Sequence, residues 1–131
     1  MARGQGAPRR RRTRTALIVR VHDLEEARRA LAATPDAVLV TAPDMAHFAG
    51  VGFWHAVERE LGHSVVLDCA DDAGLVMAAL RQGLRDILFT GRADVALRLT
   101  GMAAANGARL RRSLQGNRLR RVDVQKGDST V

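Results

Sequence analysis

The densest group of reactive side chains in this sequence is Asp68-Cys69-Ala70-Asp71-Asp72, three carboxylates and a thiol within five residues. Carboxylates so close together can hold Mg2+ through one or two oxygens, with water completing the octahedron. Asp68, Asp71 and Asp72 are therefore the candidate metal ligands. A plainer role competes with that one and is favoured. Asp is among the commonest helix N-caps, which suits Asp71 or Asp72, and Asp68 has Arg20 or Arg92 as an ion-pair partner. Cys69 needs a neighbouring base to act as a nucleophile, and His22 is the one plausible neighbour; a single cysteine more often serves as a small inert apolar residue. His22 with Asp68 is the candidate pair for acid–base work, since a near-neutral imidazole and an oriented carboxylate are its usual parts.

A second group, Thr90-Gly91-Arg92, stands where a helix should begin. Glycine and arginine at such a point can receive an anion on free backbone N–H groups, so Arg20, Thr90, Gly91 and Arg92 are the candidate ligand-binding residues. The chain has no G-x-G-x-x-G after its first apolar run and no G-x-x-x-x-G-K-[ST] anywhere, which argues against nucleotide binding by those routes. No cofactor is expected. His47, His55 and His63 lack the spacing of a metal-binding pair, so surface or packing roles are expected of them.

These residues are placed by a repeated unit. Four times a short apolar, β-branched run precedes a capped amphipathic segment that ends at glycine or a turn. The runs are Ala16–Val21, Ala37–Thr41, Ser64–Asp68 and Asp86–Thr90. After the first, Asp23 and Glu26 have capping-box spacing, Leu24, Ala27 and Leu31 share a helical face, and Thr34-Pro35 stops the helix. After the second, Pro43-Asp44 opens a loop in which Gly50 and Gly52 disfavour helix; Phe53, Val57 and Leu61 then form a stripe that Gly62 ends. Leu75, Val76, Ala79 and Leu80 form the third stripe, and Val95, Leu99, Met102 and Ala103 the fourth. Ala108–Leu110 adds a fifth, edge strand.

Continuous apolar strands are buried on both faces, as in a parallel sheet covered by helices. The expectation is a three-layer α/β domain over residues 15–112, with four or five short parallel strands and flanking helices, two per face if the units divide evenly. In such a sheet ligands bind at the carboxyl ends of the strands. That rule would gather Arg20, His22, Asp68 and Arg92 on one rim. Phe53 and Trp54, adjacent and so about 100° apart around a helix, form either a wide core stripe or a dimer contact anchored by Trp54.

Charge divides the chain differently. Residues 1–14 carry six arginines and no acid, and residues 109–131 carry seven basic side chains against two acidic ones, whereas the 94 residues between hold 8 basic and 12 acidic. Residues 1–14 and 113–131 read as flexible basic tails that cannot bury a core. They keep the chain soluble, or they bind nucleic acid weakly and without sequence preference, in a salt-dependent way. Aromatic content of 3% with no Tyr leaves no base-stacking platform. The single cysteine excludes a disulfide framework. The apolar run after Arg9–Arg12 is too short for an export signal, and none approaches the roughly 20 residues of a membrane span. A cytoplasmic protein is expected.

The spacing of Ala37–Met45, Ser64–Gly83 and Asp86–Leu99 resembles that of a response-regulator receiver domain, a flavodoxin-like α/β fold. The resemblance implies strands, helices and loops in that family's order, but not its chemistry. Thr41 stands where the phospho-accepting aspartate would be, Thr90 at the lysine position, Arg20-Val21 near the acidic pair, and Asp68 or Cys69 at the hydroxyl position. The stretch before Ala37 is too short for the family's second strand and helix. The resemblance is to a shortened relative unable to take up phosphate; the repeated unit equally resembles half of a (βα)-barrel. The expected function is that of a non-catalytic α/β module acting through protein contacts, as a homodimer or with another partner. The alternative is a small enzyme or anionic-ligand-binding protein using the strand-end rim.

Overall fold

The computed structural model describes residues 16–114 and the pair 120–121; the segment 1–14 and most of 113–131, read above as tails, lie outside the described residues. In chain order the elements are β1 (Leu17–Val21), α1 (Leu24–Ala33), β2 (Val38–Thr41), α2 (Met45–Ala49), α3 (Val51–Leu61), β3 (Val65–Asp68), α4 (Ala73–Gln82), β4 (Asp86–Leu88), α5 (Ala93–Ala105), β5 (Arg109–Arg111) and β6 (Arg120–Arg121). The strands form one sheet in the order β5-β4-β3-β2-β1-β6, and every pair is parallel. This is the α/β fold expected from the repeated unit, with one addition: β6 pairs with β1 through Leu17 and Ile18.

Local chemistry accounts for most boundaries. Asp23 caps α1 by accepting the Glu26 N–H at 2.9 Å, satisfying a donor that has no partner inside the helix. The Glu26 carboxylate returns to the His22 N–H at 2.7 Å. Asp72, not Asp71, caps α4 through the Leu75 N–H. Gly62 and Gly83 end α3 and α4 at φ 64° and 95°, a left-handed conformation that glycine adopts without steric cost.

Several local expectations are corrected. The stretch after Pro43 contains the short helix α2, and α3 begins at Val51 despite Gly52. Tertiary burial overrides propensity here, because Ala46 on α2 and Trp54 on α3 are both 0% exposed. The α3 stripe is also rotated. Trp54 and Val57 are buried while Phe53 is 39% exposed, so the larger ring occupies the core. Its indole N–H is not orphaned, since it donates to the Met45 carbonyl at 3.0 Å. Phe53 meets the Trp54 ring edge-on. Trp54 is thus a core residue and cannot serve as the dimer anchor considered above. Met102, expected inward on α5, is exposed, and Ala96 takes its place in the core.

The order of the strands decides where the helices go. Consecutive strands from β1 to β5 lie side by side, and right-handed crossovers that always advance in one direction place their helices on one side. Buried residues of all five helices accordingly join one cluster with alternate strand residues, including Val19, Leu39, Val65, Leu67 and Ile87. The other strand residues, Ile18, Val40, Val66 and Leu88, form a second buried cluster on the opposite face. Among the described residues Val38 and Leu114 pack against it, and none of the five helices contributes a buried residue to it.

Candidate functional site

The carboxyl ends of the strands present Arg20, His22, Thr41, Asp68, Cys69, Thr90 and Arg92 along one rim, as parallel topology requires. What they do there is set by their partners. The Arg20 guanidinium donates through Nη1 to the Thr41 carbonyl at 2.8 Å and to Asp68 Oδ2 at 2.7 Å. It thereby crosses β2 and ties β1 to β3. Asp68 accepts the Ala70 N–H on its other oxygen, and its own N–H donates to the hydroxyl of Thr41, which is 0% exposed. Two of the candidate residues are thus brought together, as an ion pair.

His22 and Asp68 are not hydrogen-bonded to each other. His22 Nδ1 lies 3.0 Å from Glu26 Oε1 in its own first helical turn. His22 is thus paired through Nδ1 with Glu26, and Asp68 with Arg20. Cys69 is 0% exposed, and burial, helped by the charges of Asp68 and Asp72, pushes its thiol up to about 12. A thiol in that state is buried and un-ionised near neutrality, which suits a small apolar role.

Asp68, Asp71 and Asp72, the candidate metal ligands, are not drawn into one cluster. Among the described residues no three His, Cys, Asp or Glu side chains are grouped so as to hold a metal ion. The reason is directional: Asp68 turns to Arg20, while Asp72 caps α4. Asp72 also accepts a 2.7 Å hydrogen bond from His47 Nε2, on α2. That bond, with the Leu75 N–H, holds the Asp72 carboxyl below the usual range.

Thr90, Gly91 and Arg92 form the bent connection from β4 to α5. The Thr90 N–H donates to the Ala70 carbonyl at 2.7 Å. Arg92 grips Asp94 with two bonds of 3.0 and 2.7 Å, and the Arg92 bond keeps the Asp94 carboxyl low. From β5's end Arg112 donates to the Phe89 and Gly91 carbonyls at 2.8 and 2.7 Å and lies 5.6 Å from the centre of the Phe89 ring. Gly91 is needed because a Cβ there would sit 2.5 Å from Phe89 Cζ.

Two features had no motif to announce them. On the face away from the helices, Asp86, 9% exposed, is gripped by Arg111 through bonds of 2.7 and 2.9 Å, with Arg109 at 3.8 Å. This pairing raises the Arg111 pKa and locks the β5 register. The alternation Arg109-Leu110-Arg111 was the available signal, since period-two spacing puts both arginines on one face. The second feature is an open hollow at the opposite end of the sheet, lined by Glu58, Arg59, Gly62, His63, Ser64 and Arg85.

Exposed large apolar side chains are Phe48 at 84%, Leu97 at 75%, Met102 and Phe53. Among the described residues no helix is long and apolar enough to cross a membrane. Compared with protein-family models, with curated proteins and with solved structures, the chain matches none.

Proposed function

We propose that this chain is a non-catalytic α/β module that works in the cytoplasm through protein contacts, first of all with a second copy of itself. The observation that supports this most is the state of the rim. Arg20, His22, His47, Asp68, Asp72, Arg92 and Arg112 are each engaged by a neighbour in the same chain, and the one thiol is buried. Each of these charged groups therefore has a structural partner that accounts for its place without a substrate. The alternative is an enzyme or anion-binding protein that uses this rim, and it would have to draw on residues that are paired within the chain.

The receiver-like resemblance is compatible with this reading. The flavodoxin-like order 2-1-3-4-5, with its second strand left out, becomes four strands adjacent in sequence order, as β1 to β4 are here. Thr41, at the acceptor position, is buried and bonded to the β3 backbone. The one-sided helix layer also suits the likeness to half of a (βα)-barrel. Neither likeness calls for a reaction.

Phe48 on α2 and Leu97 on α5 are the exposed side chains best suited to a contact, since large apolar groups gain most from leaving water. Sedimentation velocity over a concentration series tests the reading. Self-association that weakens in Phe48→Ser or Leu97→Ser supports it. A strict monomer at high concentration, with no partner captured from lysate, sinks it.

A further inference from the structure

The distribution of unpartnered cations points away from the rim. Among the described residues Arg20, Arg28, Arg29, Arg92, Arg109, Arg111 and Arg112 each have a carboxylate or carbonyl partner. Arg59, Arg81, Arg85 and Arg98 have none among the salt bridges and hydrogen bonds of the described residues. Two of those four, Arg59 and Arg85, line the same hollow, together with His63. They arrive there from different elements, since Arg59 lies in the last turn of α3 and Arg85 immediately precedes β4.

We infer that this hollow, at the amino-terminal end of β3 and β4, binds a small oxyanion, a phosphate or carboxylate group, between Arg59 and Arg85. Guanidinium groups present a fork of donors that matches either oxyanion. His63 Nδ1 donates to the Ser64 carbonyl at 2.8 Å, which holds the ring at the edge of the hollow. The acceptor groups nearby are engaged by hydrogen bonds within the chain. The Glu58 carboxylate accepts the Val65 N–H at 2.8 Å, and burial raises its pKa. The Glu58 carbonyl, at the negative end of α3, already accepts the N–H groups of Gly62 and His63.

A residue-resolved NMR titration of the full chain with inorganic phosphate, ionic strength held constant with chloride, tests this. The expected result is saturable shifts confined to the amides of residues 58–65 and 85, with a Kd of about 1 mM or tighter. The Arg59→Gln, Arg85→Gln double variant should weaken binding by roughly tenfold or more. Arg81→Gln with Arg98→Gln, the other unpartnered pair, should leave it within about twofold. A parallel titration with acetate identifies the group: tighter phosphate binding assigns a phosphate-bearing ligand, tighter acetate binding a carboxylate. Shifts that rise linearly without saturating, shifts confined to the arginine-rich ends, or equal losses in the two double variants would each overturn the site. Self-association is not measured in this titration, so its outcome is separate from that of the protein-contact reading.

Discussion

Cys69 offers the sharpest test of the claim that the rim is chemically quiet. The thiol is 0% exposed, and burial first, then the charges of Asp68 and Asp72, move it from 9.0 to about 12. Since the thiolate is the reactive form, that displacement alone lowers the reactive fraction at pH 8 by roughly a thousandfold. Exclusion from solvent adds to it. In native buffer the chain should therefore react with a disulfide reagent such as Ellman's at least about a thousandfold more slowly than in guanidinium chloride, the residual rate reporting transient opening. A native rate within about tenfold of the unfolded one would refute the reasoning and return Cys69 to the list of nucleophiles. The same displacement fixes a sign for stability. Between pH 9 and 12 the unfolded chain releases this proton and the native chain keeps it. The contribution is thus complete below the unfolded pKa and is lost as pH rises through that window. Cys69→Ala should remove that part of the pH dependence.

Two glycines should respond with opposite signs. Gly91→Ala drives a Cβ into the buried Phe89 ring and should cost about 1–3 kcal/mol in urea unfolding. Gly101→Ala, in open space within α5, should stabilise by about 0.5–1 kcal/mol. Asp86→Ala strands the Arg111 guanidinium, whose side chain is 10% exposed, and should cost about 3 kcal/mol in the same assay; Asp86→Asn should recover part of that. Asp72→Ala removes the α4 cap and should cost about 1 kcal/mol. His47→Ala, losing only an exposed pair, should stay within about 0.5 kcal/mol.

Much of this architecture was legible because local signals and tertiary packing agree. The apolar runs became β1 to β4, the Asp23 cap and the Gly62 and Gly83 stops fell where capping chemistry puts them, and the low-propensity run Ala108–Leu110 did continue the sheet. Legibility failed where packing outbids propensity. Gly50 and Gly52 argue against helix, yet the pocket that takes Trp54 requires both α2 and α3 around it. Phe53 and Trp54 are equivalent to a periodicity argument, and only the Met45 carbonyl, waiting for an indole donor, separates them. The rim residues were placed correctly by topology, but their partners depend on side-chain reach across strands. Arg20 passes over β2 to find Asp68, 48 positions away, which no local spacing encodes. The hollow joins the end of α3 to the residue before β4, and it too has no local signature.

The quietness of the rim and the one-sided helix layer have a common cause in the strand order. Ligand crevices in open parallel sheets form where the order reverses, because neighbouring loops there leave toward opposite faces and open a gap between them. From β1 to β5 the order never reverses. Each loop leaves toward the same helical layer, and adjacent loops can lean on one another, as the Thr90 N–H on Ala70 and Arg112 on Gly91 illustrate. With no gap to fill, charged residues at the strand ends are better used joining strands than waiting for substrate. The rule that led from a parallel sheet to a rim site assumes a reversal, which the described sheet contains only where β6 joins β1. On the reading proposed above, the exposed Phe48 and Leu97 and the arginines at the far end of the sheet are where such a chain would meet other molecules.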